Sequence, residues 1–157
     1  MQDPFLIRIA QPEDVEETFT LSNQNYVRQY SINRNIIKWE DHVAWFNNII
    51  EDVNNVFYVI TDKADMLLGQ VRYEINDTSA TVSISVAESI RGKGYSEFIL
   101  LKSMEKLFAE REKVQRIIAY INEENLASIG LFERNGFSLI SKDDGLLKYI
   151  YDRGKRL

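Results

Sequence analysis

The stretch from residue 56 to residue 86 most constrains the fold, because it holds three strand-like segments separated by very short turns. The segments are rich in β-branched and aromatic residues, and the second and third alternate in part between apolar and polar side chains. They span residues 56–61, 66–75 and 80–86, with turns at 62–65 and 76–79. Strands joined by so few residues cannot make a parallel crossover, so we predict a three-stranded antiparallel meander.

Further elements flank the meander. Before it, the pattern predicts a strand and two helices, at 5–9, 12–26 and 40–50. After it, the pattern predicts a helix from Tyr95 to about Glu112, a strand, a second helix and two strands, the last four at 114–121, 125–135, 137–141 and 146–152. The order β-α-α-β-β-β-α-β-α-β-β predicts a mixed sheet with helices on its faces, in the α/β (α+β) class. No segment resembles a linker, so we expect residues 1–157 to form a single domain.

Composition excludes several classes of function. The chain has no cysteine, so disulfides, thiolate metal sites and a cysteine nucleophile are excluded. The net charge of -5 argues against nucleic acid and against an anionic membrane as partners. The N-terminus lacks the pattern of a signal peptide, and no apolar run approaches the ~18 residues that span a bilayer. We therefore expect a cytoplasmic protein without a metal site.

Two strands of the meander carry a polar face. One side-chain series consists of Gln70, Arg72 and Glu74, and the other of Thr81, Ser83 and Ser85. Central strands of an α/β sheet are usually apolar on both faces. The polar series therefore predict a water-filled cleft, although a face turned to bulk water would give the same pattern.

The segment "IRGKGYS", which follows the third strand of the meander, has the features of an anion site. Gly92 and Gly94 allow close approach of a ligand and positive φ angles. A helix is predicted to begin at Tyr95, so its first N–H groups lack partners, and Arg91 and Lys93 add positive charge. A phosphate or diphosphate is the expected ligand, although a plain charged turn would look similar. The residues fit neither a Walker loop nor a dinucleotide fingerprint.

Two blocks of sequence, residues 91–96 and 125–137, together resemble the GNAT superfamily of N-acetyltransferases. The run Arg91-Gly92-Lys93-Gly94-Tyr95-Ser96 fits the superfamily's Arg/Gln-x-x-Gly-x-Gly/Ala signature, with Ser96 in the last small-residue position. The block "NLASIGLFERNGF" at 125–137 is similar to the family's Asn-led helix that ends in Gly-Phe. The resemblance extends over essentially the whole chain. It implies a mostly antiparallel sheet of about six to seven strands, about four helices on its faces, and a splay between strands four and five.

The resemblance also implies acetyl-CoA as the acyl donor. Ile84 and Val86 would lie on the strand whose backbone pairs with pantetheine, and Asn125 would contact the cofactor through its side-chain amide. The thioester would lie in the gap between strands 82–86 and 114–121. The pyrophosphate would be wrapped mainly by backbone N–H groups of Arg91, Gly92, Lys93, Gly94, Tyr95 and Ser96.

Acetyl transfer to an amine requires a neutral amine, a donor for the oxyanion and a departing thiolate. The backbone N–H of Val86 is the candidate oxyanion donor. Glu74 is the first candidate for the general base because it lies on the polar face, although a solvated glutamate at a strand end is the alternative. His42 is the second candidate, and a surface or capping histidine is the alternative for it.

One position departs from the family pattern. The helix position seven residues after Asn125 usually holds a tyrosine that protonates the leaving thiolate, and here it is Phe132. Phenylalanine cannot donate a proton, so water or another residue such as Tyr120 would have to substitute.

The acceptor is expected to be a small primary amine that attacks directly in a ternary complex. The run "H-x-x-W-F" followed by "G-Q-V-R" resembles members that acetylate amino-sugar nucleotides in surface and spore-coat polysaccharide pathways. Arg34, Lys38 or Arg72 could then meet acceptor phosphates. The alternatives are acetylation of a protein N-terminus, as in ribosomal-protein acetyltransferases, and a non-catalytic acyl-CoA sensor. A homodimer is one option for the assembly.

Overall fold

The computed structural model of the protein describes residues 4–156. Seven strands and five helices follow one another, with single turns of 3₁₀ helix at Pro12–Asp14, Glu88–Ile90 and Arg153–Arg156. The strands are β1 (Leu6–Ile9), β2 (Asn55–Thr61), β3 (Leu67–Asn76), β4 (Ser79–Val86), β5 (Arg116–Asn122), β6 (Ser138–Asp143) and β7 (Leu146–Asp152). The helices are α1 (Val15–Ser22), α2 (Asn25–Arg28), α3 (Trp39–Glu51), α4 (Tyr95–Glu110) and α5 (Leu126–Arg134).

All seven strands join one sheet in the order β1-β2-β3-β4-β5-β7-β6. The β2–β3–β4 meander is antiparallel, as predicted, and β4 and β5 form the parallel pair. That pair is short, because only Ser79–Thr81 of β4 faces Arg116–Ile118 of β5. Beyond these residues the two strands have no paired positions. The mixed, mostly antiparallel sheet with a splay between its fourth and fifth strands is therefore confirmed.

The helices cover the two faces of the sheet unequally. One face forms the larger core, in which Tyr73 and Val82 of the sheet join Ile99 and Leu100 of α4 and Leu131 of α5. Tyr73 also hydrogen-bonds through its hydroxyl to Ser103 of α4, at 2.7 Å.

The second face carries α1 and α3 over the β2–β3 side. A smaller core there joins Leu21, Phe46, Phe57 and Val59. The polar series of β3 and β4 lies on this second face, because Arg72 is directly opposite both Phe57 and Ser83 in the sheet.

The helix predicted at 12–26 is interrupted. Asn23 ends α1, and Gln24 adopts an extended conformation (φ -61°, ψ 142°) before α2 begins. The break has a tertiary cause, because the Asn23 side chain makes two hydrogen bonds to Ile37. Its Oδ1 accepts the N–H of Ile37 at 2.8 Å, and its Nδ2 donates to the carbonyl of Ile37 at 3.0 Å. The helix therefore ends at Asn23, and the Asn23 side chain holds the loop that precedes α3. None of the helices within residues 4–156 is both long enough and apolar enough to cross a membrane.

Candidate active site

A cleft of about 1020 Å³ opens where β4 and β5 separate. The polar series predicted to face a cleft contributes Arg72, Thr81, Ser83 and Ser85 to its walls. The other walls come from residues of α2 and the loop after it (26–33), the rest of β4 (82–86), the turn before α4 (91–97), β5 (119–122) and α5 (125–134).

The backbone of β4 faces this cleft with groups that have no strand partner. The N–H of Ala87 bonds the carbonyl of Leu68 at 2.7 Å, which continues the ladder with β3. Because ladder bonds alternate along an antiparallel pair, the N–H and C=O groups of Val82, Ile84 and Val86 point away from β3. They point to the side where β5 has diverged. This edge can bind an extended chain of amides as a strand would.

The turn before α4 has the geometry of an anion cradle. Gly92 and Gly94 have φ angles of +74° and +82°, which residues with a Cβ rarely adopt. An added Cβ at either position would meet no atom within 4 Å, so the space in front of the turn is open. Gly94 is the N-cap of α4, and the unpaired N–H groups of that helix end at the cleft.

The predicted cofactor residues divide into two groups. The cleft is lined by Ile84, Val86, Arg91, Gly92, Gly94, Ser96 and Asn125. Lys93 and Tyr95 lie outside this lining: Lys93 is exposed, and Tyr95 turns inward to pack against Phe5, with ring centroids 4.9 Å apart. Tyr95 can therefore contribute to a ligand through its backbone, and Lys93 through its backbone or as an exposed charge at the rim of the turn.

Asn125 combines a structural bond with its place in the cleft. Its Oδ1 accepts the N–H of Ser128 at 3.2 Å and so caps α5. The N-terminus of α5 thus opens on the same cleft as that of α4, which adds a second set of backbone donors.

Glu74 lies at the edge of the polar face, just beyond the cleft lining. It is opposite Thr81 of β4. Its side chain is 64% exposed, and its Oε2 is 3.5 Å from Nη1 of Arg72. The carboxylate therefore contacts the cleft through Arg72 or through water rather than directly.

His42 lies away from the cleft, in the aromatic core between α1 and α3. It is 2% exposed, and its Nε2 is 2.9 Å from the carbonyl of Val15 and 3.2 Å from Oγ1 of Thr18. Burial lowers the pKa of the imidazole. His42 is thus neither a surface nor a capping residue, and its position does not support the predicted catalytic role. Its place four residues before buried Phe46, on the same helix face, was the signal of burial in the sequence.

Phe132 occupies a wall of the cleft on α5. It is 3% exposed and packs edge-on against Phe137, with ring centroids 4.9 Å apart. Its ring completes the apolar core where the family pattern has a hydroxyl.

Two residues that the sequence did not single out organise the opposite wall. Tyr26 donates its hydroxyl to the carbonyl of Val86 at 2.8 Å, and the guanidinium of Arg91 stacks 3.8 Å from its ring centroid. Arg28 donates to four acceptors of the neighbouring chain, at 2.9–3.2 Å: the carbonyls of Ser22, Asn33 and Asn35 and Oγ of Ser31. The loop after α2 is therefore folded around one guanidinium. The Tyr26 contacts join segments that are distant along the chain, and the Arg28 contacts follow no recognised sequence motif.

The charged groups of the cleft are mostly cationic. Among the described residues that line it, the cations are Arg28, Arg72, Arg91 and Arg134, and the carboxylate is Glu97. The donors of Arg28 are engaged within the loop, whereas Arg72 bonds Oδ1 of Asn55 through Nη1 at 3.1 Å. Within residues 4–156, no three His, Asp or Glu side chains are grouped to hold a metal ion.

Comparison with solved structures shows the same fold. Spermidine N-acetyltransferase from Vibrio cholerae, in complex with CoA and spermine, superposes with a TM-score of 0.86, covers 98% of both chains and is 20% identical. A phosphinothricin N-acetyltransferase, provisionally so named, superposes with a TM-score of 0.79 at 22% identity, over 95% of this chain and 98% of that one.

Sequence comparison points the same way. YwnH of Bacillus subtilis (strain 168), provisionally named a phosphinothricin acetyltransferase, is 25% identical over 139 residues, 84% of this chain and 83% of that protein. The acetyltransferase PseH of Campylobacter jejuni is 20% identical over 132 residues, 83% of this chain and 81% of that protein. Residues 5–138 match the family described as "Acetyltransferase (GNAT) domain". The chain therefore belongs to the GNAT family of acetyltransferases, enzymes that use acetyl-CoA to acetylate amines.

Proposed function

We propose that this enzyme acetylates the primary amine of a small acceptor that carries an anionic group, an amino-sugar nucleotide, by direct attack in a ternary complex. The observation that carries the proposal is the position of Arg72 in the wall of the cleft. Acetyl-CoA supplies the acetyl group as a thioester. The donor half of the cleft comprises 82–86, 91–96 and the start of α5; the acceptor half comprises Arg72 and 26–33.

The donor half fits the cofactor through its backbone. The edge of β4 at Ile84 and Val86 would bind the amides of pantetheine as a strand partner. The Gly92–Gly94 turn and the N-terminus of α4 would hold the pyrophosphate, with Arg91 adding charge. Asn125 would contact the cofactor at the N-terminus of α5.

The acceptor half favours an anion. The Arg72 guanidinium carbon is 5.5 Å from the ring centroid of Trp45, and Asn55 holds Nη1 from the side. This arrangement fixes a cation in a partly enclosed wall, where the Arg72 side chain is 22% exposed. A polyamine would bring further positive charge against this guanidinium, whereas a phosphate or carboxylate would be attracted to it. An amino-sugar nucleotide satisfies this preference through its phosphates.

The chain's own groups account for the proton and charge movements. The N–H of Val86 would bind the developing oxyanion, because it points into the gap without a strand partner. Glu74 would accept the proton of the amine through water, since its carboxylate lies beyond the cleft lining. The hydroxyls of Thr81, Ser83 and Ser85 provide the hydrogen-bonding face along which such water can be held.

A panel of amines incubated with acetyl-CoA, with free thiol measured, tests the proposal. We expect release with amino-sugar nucleotides and little with spermidine or with peptide N-termini. Arg72→Gln should raise KM for the nucleotide sugar by roughly tenfold, the size of one charge-assisted hydrogen bond. Arg116→Gln, at an exposed arginine outside the cleft, is the matched control. A preference for polyamines or peptides, or an unchanged KM in Arg72→Gln, would overturn the acceptor assignment.

The homodimer and the cytoplasmic location stay predictions. Edge strand β6 exposes Leu139 and Ile140, at 52% and 58%, and a second copy would bury apolar area there. Sedimentation of the protein and of a Leu139→Lys/Ile140→Lys variant would test the dimer.

A further inference from the structure

Tyr26 separates two cavities next to the reacting centre. Its ring lines the main cleft and also a neighbouring cavity of about 380 Å³. Three carboxylates line that second cavity: Glu16, Glu17 and Glu88. The side chain is therefore half-buried in a wall rather than free in solvent.

The hydroxyl of Tyr26 lies at the segment that the proposed function assigns to the oxyanion. It donates to the carbonyl of Val86 at 2.8 Å, and the N–H of the same residue is the proposed oxyanion donor. The N–H and C=O of Val86 point to the same side of β4, into the gap where β5 has diverged. The Tyr26 hydroxyl and the N–H of Val86 thus lie next to the same part of the gap.

From this geometry, and resting on the proposed function, we propose that Tyr26 is the general acid that protonates the leaving thiolate, in place of the hydroxyl that Phe132 lacks. As the C–S bond breaks, its electron pair stays on sulfur, and the Tyr26 O–H transfers its proton there to give a thiol. The amine nitrogen loses one proton in the same turnover, to Glu74 through water, and Glu74 then returns this proton through water to the phenolate. Atoms and charge balance without any further reactant.

The surroundings of Tyr26 suit an acid of this kind. Burial raises the pKa of the phenol, so it holds its proton at neutral pH. Arg91, stacked on the ring, and a backbone hydrogen bond from Glu88 both favour the ionised form that remains after transfer. The Glu88 carboxylate opposes it. The group is thus protonated before the step, and Arg91 and the Glu88 backbone offset part of the cost that burial imposes on the phenolate after it.

Other candidate acids in the cleft have weaker positions. Phe132 has no proton to give. Tyr120 lies on β5 across the splay and is 45% exposed, so water competes for its hydroxyl. Tyr120 and Tyr30, which also lines the cleft, are the competing assignments that the experiment must separate.

Steady-state kinetics of Tyr26→Phe provide the first test, because this change removes the hydroxyl and keeps the ring under Arg91. We expect kcat to fall on the order of 10²-fold with KM for the acceptor nearly unchanged, and a high-pH limb of the profile, above about pH 10, to disappear. Tyr58→Phe is the matched control, because its hydroxyl bonds Glu110 on the other face of the sheet. A loss in Tyr120→Phe or Tyr30→Phe instead, or kcat of Tyr26→Phe within about threefold of wild type, would overturn the assignment.

Calorimetry with CoA and desulfo-CoA gives a readout that does not depend on turnover. At about pH 9 much of the CoA thiol is ionised, and a Tyr26 hydroxyl within reach of sulfur would bind it. We expect wild type to prefer CoA over desulfo-CoA by roughly tenfold, and Tyr26→Phe to lose this preference. An equal preference in both proteins would overturn the proposal. Failure of both proteins to bind either compound would instead overturn the donor assignment itself.

Discussion

The two proposed halves of the cleft use different groups of the chain, mainly backbone in the donor half and side chains in the acceptor half. The donor half consists mainly of backbone: an open strand edge, two glycines with positive φ, and the N-termini of α4 and α5. The acceptor half consists of side chains, namely Arg72 in the wall of the cleft and the side chains of the loop that is folded around Arg28. A backbone site depends on few residue identities and binds a constant ligand. A side-chain site can change its specificity while the sheet stays the same.

Gly94→Val should have the largest effect and should damage the donor half alone. A β-branched residue at φ +82° is strained by about 1–3 kcal/mol, so the turn would leave this conformation in the free protein. Restoring it on binding should lower CoA affinity by about 10- to 100-fold. Lys93→Ala removes only an exposed charge and should change affinity by less than about threefold. Calorimetric titration with CoA measures both variants, and a thermal melt confirms that each is folded. Near-wild-type affinity in folded Gly94→Val would contradict a site built from backbone.

Glu74→Gln should have an intermediate effect, confined to the acceptor half. A base that acts through water contributes less than the 10²–10⁴-fold of one in direct contact, so we expect kcat/KM to fall by about tenfold at pH 7. The loss should shrink at high pH, where the amine is already neutral, and CoA affinity should not change. Glu51→Gln on α3 is the control for an exposed glutamate. Full activity at pH 7 would exclude Glu74 as the base.

Phe132→Tyr should have the smallest effect, although it restores the family's usual residue. If Tyr26 supplies the proton, an added hydroxyl on α5 has no step to assist, and kcat should change by less than about twofold. Steady-state kinetics between pH 6 and 10 measure this. A rise of about tenfold or more would show that thiolate protonation is limiting and that Tyr26 does not perform it.

The local geometry of the donor half could be predicted because the residues that determine it are adjacent in the sequence. The segment from Arg91 to Ser96 lies within six positions, and the helix start at Tyr95 is confirmed. The polar series of β3 and β4 likewise followed from the period of two along a strand.

In the acceptor half, Arg72 was named from the sequence, but the 26–33 segment could not be predicted, because tertiary contacts decide its position. Tyr26 and Val86 are sixty positions apart along the chain, and Asn23 breaks the predicted helix to bond Ile37. The side chain of Glu74 faces the expected side but lies one step beyond the cleft. His42 shows the opposite error, since its residue type suggested chemistry while its spacing from Phe46 indicated burial.

The splay between β4 and β5 makes the free protein an incomplete sheet. An open edge inside a sheet presents unpaired N–H and C=O groups, as an outer edge strand does, and these groups can pair with another chain. A cofactor that bridges this gap would act as an eighth strand and close the edge. The cellular concentration of the cofactor would then govern the lifetime of the folded enzyme as well as its catalytic rate, because a ligand at 100 times its Kd adds about 2.7 kcal/mol of stability. Starvation for acetyl-CoA and for CoA would expose the enzyme to aggregation and proteolysis together.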